Sequence, residues 1–573
     1  MDVGERLVSL MIGAGIKTGF GCPGGQTAPY YHGMAVNTDQ FTHVLMRDER
    51  SASFAADAYA RLNGVVAACD ATVGPGATNL VSGLVEAKAA SIPMVTVIAD
   101  IPRHWEHRRH LGNAAQGVEQ RAFLEPCVKW YGRVETPEAI DDVFTQALRI
   151  ATTGRPGPVV IEVPDDVFSA AVEATELIRD SSLAAFPRTR SVPAPHDIEA
   201  AIAALASAKM PAILVGGGAH LSGAGEQVRA LVERLDIPVG TTISGKGIVS
   251  EFDPRAVGLI GSFGIPLANE VIGKADVVLV LGSKLGQAAT VGYEVPAPGA
   301  TVIHLDIDAE EIGRNWKNSI PLVGDVKLGI EALIAAGVEA SSSEWDIDEI
   351  ARTAAAWWGD EPDFKAPRDS DRVKPQDIVR VIGERIDDED IIVTDASLSS
   401  GWIGTRWRVD NPGRRLLAPR GVAPLGWGLP AAIGTVFALR DAGSSARVVC
   451  LAGDGGWGYS LNEIEVLTRF RMPVVSIVLN NEVLGWNKHV AMRRYPDAWV
   501  SQDFTSVDYA ASAAGLGAKT WRVSTIEEFD AALVEALEVT DRPTVIDVLS
   551  SPFETPVIKS MSGGGVSPMT ASY

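Results

Sequence analysis

Short apolar runs recur along the whole chain: Val66–Cys69, Met94–Ala99, Ala212–Val215, Val277–Leu281, Thr301–Leu305, Ile391–Thr394, Val448–Leu451 and Val474–Leu479. Each has the length of a strand buried on both faces, and stretches of helical periodicity lie between them. This alternation predicts parallel sheets covered by helices, in several doubly wound α/β units. Two segments break the rhythm. Ser181–His196 holds three prolines, and the polar stretch Val338–Pro375 carries a serine run, Ser341–Ser343. Reading both as linkers gives units of about 1–180, 190–340 and 370–550, followed by a Gly/Ser/Pro-rich tail, 551–573. The first and third units share an internal order: helix, strand, Gly-rich turn, helix, then a strand opening on Pro-Met-Val or Pro-Val-Val (Ala55–Asp100 and Leu429–Asn481). The echo suggests duplicated domains flanking a different one.

Charge narrows the partners. The 573 residues include 50 Lys+Arg against 72 Asp+Glu, a formal charge of −22, which speaks against a nucleic-acid or anionic-membrane binder. No apolar run approaches the ~18 residues of a membrane span. The acidic start, Met1-Asp2-Val3-Gly4-Glu5, is unlike the basic opening of a secretory signal. Cys22, Cys69, Cys127 and Cys450 are scattered and form no C-x-x-C pair, as expected of reduced thiols in a cytoplasmic protein. One stretch is an exception to the acidic balance: Arg103-His104-Trp105-Glu106-His107-Arg108-Arg109-His110. It reads either as a contact for an anionic substrate, with His104 as candidate, or as a solvated loop or subunit contact.

The sharpest chemical signal is Gly453-Asp454-Gly455 followed by Asn480-Asn481. Both pieces follow apolar strands, so both fall at strand carboxyl ends, where open α/β sheets bind ligands. Asp454 and Asn481 stand 27 residues apart, one strand–helix–strand crossover. A carboxylate and an amide oxygen brought together there suit a small hard cation that keeps positions open for phosphate oxygens. Gly455 and Gly456 allow backbone N–H groups to approach a phosphate at a helix start. The plainer alternative is a Gly-Asp-Gly turn and an Asn-Asn helix cap.

These residues, with Phe20–Gly25, Arg47–Arg61, Gly74–Asn79, His304–Gly313, Thr394–Ser400 and Pro424–Gly434, resemble thiamine-diphosphate enzymes of the acetohydroxyacid (acetolactate) synthase group. The resemblance spans essentially the whole chain. It implies a pyrimidine-binding domain, a central domain and a diphosphate-binding domain, each a doubly wound parallel sheet. It further implies Mg2+ on Asp454, Asn481 and the Val483 carbonyl, and diphosphate contacts at Ser397, Gly455 and Gly456. Leu425 matches the apolar residue that bends the cofactor. Glu49 matches the glutamate that exchanges a proton with the aminopyrimidine ring, so that the thiazolium carbon is deprotonated. Gln116 matches a glutamine near the reacting centre, Gly25 lies in a loop facing the substrate, and Trp486 is a further substrate-pocket candidate. In similar enzymes the two halves of one site come from different subunits, so a dimer or tetramer is expected. The central domain of such enzymes holds FAD, ADP or nothing, and His304–Gly313 leans towards the FAD-type branch.

The chain departs from acetohydroxyacid synthases at pocket positions. No arginine occurs in Gly282–Ala289, Val490 stands where they carry tryptophan, and Ala115 replaces a phenylalanine. The expected activity is therefore decarboxylation and carboligation of a 2-oxo acid. The alternatives are C–C cleavage or hydrolysis of a 2-hydroxyacyl-CoA or cyclic 1,2-dione, and a relative without catalysis. The tail, with Lys559 and the Gly563–Gly565 run, is a candidate lid or a disordered end.

Overall fold

The computed structural model describes residues 1–173, 179–340, 343–359, 371–495 and 500–556. The first domain carries β1 (Thr18–Gly21), β2 (Thr42–Leu45), β3 (Ala67–Ala71), β4 (Met94–Asp100), β5 (Trp130–Arg133) and β6 (Val159–Pro164). The second carries β7 (Pro211–Val215), β8 (Val239–Thr241), β9 (Ala256–Leu259), β10 (Val277–Leu281), β11 (Thr301–Asp306) and β12 (Ser319–Val323). The third carries β13 (Ile391–Thr394), β14 (Leu416–Leu417), β15 (Val448–Gly453), β16 (Val474–Asn480), β17 (Lys519–Val523) and β18 (Thr544–Leu549). Each set forms one six-stranded sheet, and every pairing between named strands is parallel, as in β10 on β7, where Val277 faces Pro211 and Leu281 faces Val215. All eight apolar runs form strands of these sheets. Parallel sheets need helices on both faces, and the all-buried strands β4, β7, β10 and β16 show that cover.

The duplication is visible in strand order. The first sheet runs β2-β1-β3-β4-β6-β5 and the third runs β14-β13-β15-β16-β18-β17, the same topology shifted along the chain. The central sheet runs β12-β11-β10-β7-β8-β9. Read from its other end, this is the 3-2-1-4-5-6 order of dinucleotide-binding folds. Corresponding helices of the outer domains pack on each other: Glu49–Asn63, which follows β2, and Gly428–Ala442, which follows β14. A Cβ on Gly434 would collide with the Ala55 carbonyl, so glycine sets this close approach. Tyr59 and Thr18 donate to Asp441 at 2.8 and 2.6 Å, which fixes the rotation of the two helices.

The polar stretch before the third domain is not featureless. It contains the helix Ile347–Gly359, whose Ile350 and Ala354 are buried. Trp345 Nε1 donates to the Pro211 carbonyl at 2.8 Å, and Arg406 lies over Trp357 at 4.7 Å. Its apolar positions sit among acidic residues, between the serine run and a polar, proline-containing segment, which conceal the helix. No helix among the described residues is long and apolar enough to cross a membrane. The tail residues 557–573, including Lys559 and Gly563–Gly565, lie outside the described residues.

Candidate active site

The carboxyl ends of β13, β15 and β16 open into a cavity of about 270 Å3. Its walls include Ser397, Leu425, Asp454, Gly455, Gly456, Asn481, Val483 and Trp486, eight of the residues singled out from sequence. Asp454 opens the short helix Asp454–Trp457 and is 2% exposed. Its carboxylate accepts from the Gly455 N–H at 2.8 Å and the Glu482 N–H at 2.7 Å. No cationic side chain pairs with it among the described residues, and burial pushes its pKa up to about 7. Asn481 Oδ1 accepts from the Val483 N–H at 3.2 Å, so the Asn481-Glu482-Val483 turn closes beside Asp454. The donors are one carboxylate, one amide oxygen and backbone carbonyls, a hard oxygen set that suits Mg2+. Among the described residues no group of three His, Cys, Asp or Glu could hold a metal, so phosphate or water oxygens would complete the coordination.

Ser397 precedes the helix Leu398–Arg406 in a left-handed conformation (φ 71°) and makes no capping hydrogen bond. Strain in a non-glycine residue is tolerated only where the surroundings enforce it, which keeps Ser397 a candidate on the cavity wall. Its hydroxyl and the first N–H groups of the helix are available to an anion. Asp395, which sequence reasoning passed over inside Thr394–Ser400, anchors the neighbouring loop. It accepts from the N–H groups of Ala396 at 2.7 Å, Gly426 at 3.1 Å and Gly428 at 2.9 Å. Burial pushes its pKa up to about 6 against those donors. A Cβ on Gly456 would stand 2.9 Å from the Asp395 carboxyl carbon, so glycine is needed there.

The loop carrying Leu425 is held by the first domain. Glu86 accepts from the N–H groups of Gly421 (2.8 Å), Val422 (2.7 Å) and Ala423 (3.1 Å), and from Arg61 at 2.9 Å. Arg61 also donates to the Ala418 carbonyl at 2.8 Å and to Asp57, while Asp57 accepts from Trp427 Nε1 at 2.9 Å. The Asp57, Arg61 and Glu86 side chains are all but fully buried. The cavity wall further includes Phe263 and Ser262 of the central domain, Trp402, Arg420 and Glu554. Neither Arg420 nor Glu554 carries a local sequence signal, because each reaches the cavity only through the packing of distant segments.

Glu49, Gln116 and Gly25 gather elsewhere, beyond β1 and β3. Glu49 is the first residue of its helix, behind the Asp48 N-cap, at the strand-to-helix junction its sequence context predicts. Asn79 Nδ2 donates to Glu49 Oε2 at 2.9 Å. Glu49 Oε1 and the Thr72 methyl each lie 3.1 Å from the point where a side chain on Gly76 would begin. Thr72 donates to Gln26 at 3.1 Å, and Gln26 bonds Gln116 at 3.4 Å, next to Gly25. None of these three residues lines the Asp454 cavity. One chain therefore presents two separate clusters at equivalent ends of two equivalent sheets.

His104 lies on neither cluster. It is exposed and meets Trp105 edge-on at 5.2 Å. The basic stretch around it is largely neutralised: Arg103 pairs with Asp166 at 2.8 Å, and Arg109 pairs with Asp100 at 2.6 Å and Glu106 at 3.0 Å.

Comparison with known proteins identifies the domains that carry the two clusters. Residues 1–122 match the thiamine pyrophosphate enzyme N-terminal TPP binding domain, 198–333 the central domain, and 395–548 the C-terminal TPP binding domain. The chain belongs to the thiamine pyrophosphate enzyme family. Its Glu49 cluster lies in the N-terminal TPP binding domain, and its Asp454 cavity in the C-terminal one. A probable acetolactate synthase large subunit of Methanococcus aeolicus is 33% identical, over 96% of this chain and 92% of the relative. Its counterpart in Methanocaldococcus jannaschii is 32% identical over 97% and 93%. The acetolactate synthase isozyme 3 large subunit of Escherichia coli K12 is 29% identical over 99% and 98%. The protein is thus a thiamine-diphosphate-dependent enzyme of the acetolactate synthase-like group.

Proposed function

We propose that this enzyme decarboxylates a 2-oxo acid and joins the remaining fragment to a second carbonyl compound, with Mg2+ as its metal. The observation that carries the reading is the buried, cation-free Asp454 beside Asn481 and Val483, at the start of a Gly-rich helical turn. Asp454, Asn481 and the Val483 carbonyl would hold Mg2+. Ser397, Gly455 and Gly456 would take the diphosphate oxygens, and Leu425 would support the bend between the two rings. When bound, thiamine diphosphate would supply a nucleophilic carbon for the substrate carbonyl and, in its thiazolium ring, an electron sink for the pair released on loss of CO2.

The chain's own residues would do the rest. Glu49 holds and moves a proton at the aminopyrimidine ring nitrogen, with Asn79 orienting its other oxygen. Gln116, tied to Gln26, orients the reacting carbonyl. The separation of the Glu49 and Asp454 clusters within one chain supports a second copy completing each site, in a dimer or a pair of dimers. The central sheet's 3-2-1-4-5-6 order, with Gly216–Gly218 and Gly282 at the strand ends where that order reverses, supports FAD or ADP there.

The test is a panel of 2-oxo acids, 2-hydroxyacyl-CoA thioesters and cyclic 1,2-diones given to the Mg2+- and thiamine-diphosphate-loaded enzyme. Mass spectrometry and CO2 release are the readouts. Pyruvate or a homologue should release CO2 and yield a coupled product. Absence of decarboxylation with every 2-oxo acid would sink the reading, and turnover of thioesters or diones would replace it with C–C cleavage. Subunit sharing is tested by mixing Glu49→Gln and Asp454→Asn chains. Random re-pairing makes half of the dimers hybrids with one intact site of two, so about a quarter of wild-type activity should return.

A further inference from the structure

Arg420 is the only cationic side chain among the described residues lining the Asp454 cavity. Its partners among the described residues are few. Nη1 donates to Ser400 Oγ at 3.2 Å, and the guanidinium lies 5.6 Å from the Phe263 ring centre. No carboxylate pairs with it among the described residues. Arg61 is paired with Asp57 and Glu86, and Arg109 with Asp100 and Glu106. Arg414, which donates to the Arg61 carbonyl, shares with Arg420 the lack of a carboxylate ion pair among the described residues but does not line the cavity. Glu86, the acid whose charge acts on Arg420, is committed to Arg61 and to the backbone of Gly421–Ala423. Arg420 is half-buried, and a guanidinium partly withdrawn from water without a counter-ion is costly unless a ligand supplies one; burial accordingly lowers its pKa.

Its surroundings indicate which anion. The diphosphate end of the cavity has its own donors at Ser397, Gly455 and Gly456, and its metal ligands at Asp454 and Asn481. Arg420 belongs instead to a wall made with Phe263 of the central domain, whose ring also meets Trp486 at 5.6 Å. One planar cation on an aromatic wall suits a small molecule with an apolar body and a planar carboxylate, which the guanidinium fork can hold through two parallel bonds.

We propose that Arg420 is a specificity residue that binds a carboxylate of the substrate against Phe263, so that the cavity selects carboxylate-bearing carbonyl compounds over neutral ones. This rests on the 2-oxo acid reading above. The test titrates the cofactor-loaded enzyme with oxamate, an unreactive 2-oxo acid isostere, following the fluorescence of the cavity tryptophans Trp402 and Trp486. Arg420→Gln should weaken oxamate by about 10- to 100-fold, the loss expected for a charge-assisted hydrogen-bonded pair, with thiamine-diphosphate affinity unchanged. Arg420→Lys, which keeps the charge but not the fork, should fall between them, and it serves if the glutamine variant does not fold. Unchanged oxamate affinity, or no binding by the wild type, overturns the proposal. A parallel loss of thiamine-diphosphate affinity also overturns it, because the arginine would then serve the diphosphate. Arg420-dependent oxamate binding without turnover of any 2-oxo acid would leave this inference standing and refute the reaction assigned above.

Discussion

Replacing Glu86 by alanine should loosen the cofactor cavity from a position outside it. The side chain accepts three backbone N–H groups from Gly421–Ala423 and one guanidinium N–H from Arg61. Burial works to raise its pKa, but Arg61 and the N–H donors outweigh burial and hold it below the usual carboxylate range. The substitution leaves Arg61 with Asp57 alone and orphans the loop donors. Breaking a buried pair by removing one partner costs about 3–5 kcal/mol. The loop is strained as well, with the non-glycine Ala423 at φ 57°, so without its anchor it would relax and carry Leu425 with it. Urea unfolding should show the loss of stability, and fluorescence titration should show weaker thiamine-diphosphate binding. Glu86→Gln, which keeps one acceptor oxygen and replaces the other with an NH2 donor, should lie between. Arg121→Ala, which removes the exposed pair with Glu125, should change neither measurement. Lowered stability with unchanged cofactor affinity would refute the anchoring role, and unchanged stability would refute the energetic argument itself.

Three further outcomes are expected. Glu49→Gln should bind thiamine diphosphate within a few-fold of wild type but turn over about 10²- to 10⁴-fold more slowly, the usual contribution of a positioned proton-transfer group; equal turnover would remove the residue from the mechanism. Asp454→Asn, or chelation of the wild-type enzyme with EDTA, should release the cofactor on gel filtration, and Mg2+ should restore it only in the wild type. His220, whose ring bonds the Lys246 carbonyl, has its pKa pushed by burial from 6.5 down to about 3. Between those values the unfolded chain binds the extra proton, so wild-type stability should fall as pH drops below about 6.5, by up to about 1.4 kcal/mol per pH unit from this group. His220→Gln should show a shallower slope in urea midpoints from pH 7 to 4, and identical slopes would contradict the burial argument.

Much of this protein follows from local pattern. The eight apolar runs form strands, with ends within two residues of those expected, because a strand buried on both faces must be apolar throughout. The Gly-Asp-Gly and Asn-Asn pieces fall at strand ends because turn chemistry is equally local. Short or half-exposed strands such as Trp130–Arg133 and Leu416–Leu417 left no comparable mark, being held by neighbours rather than by their own composition. Tertiary structure alone decided the rest. Asp454 meets Ser397 and Leu425 because three strands end side by side, and Glu49 stays apart from them because its sheet is a separate copy of the same fold. Glu86 grips a loop 335 residues away, and Arg420 faces Phe263 across a domain junction. These contacts depend on which faces of distant helices meet, and no period or spacing along the chain encodes that.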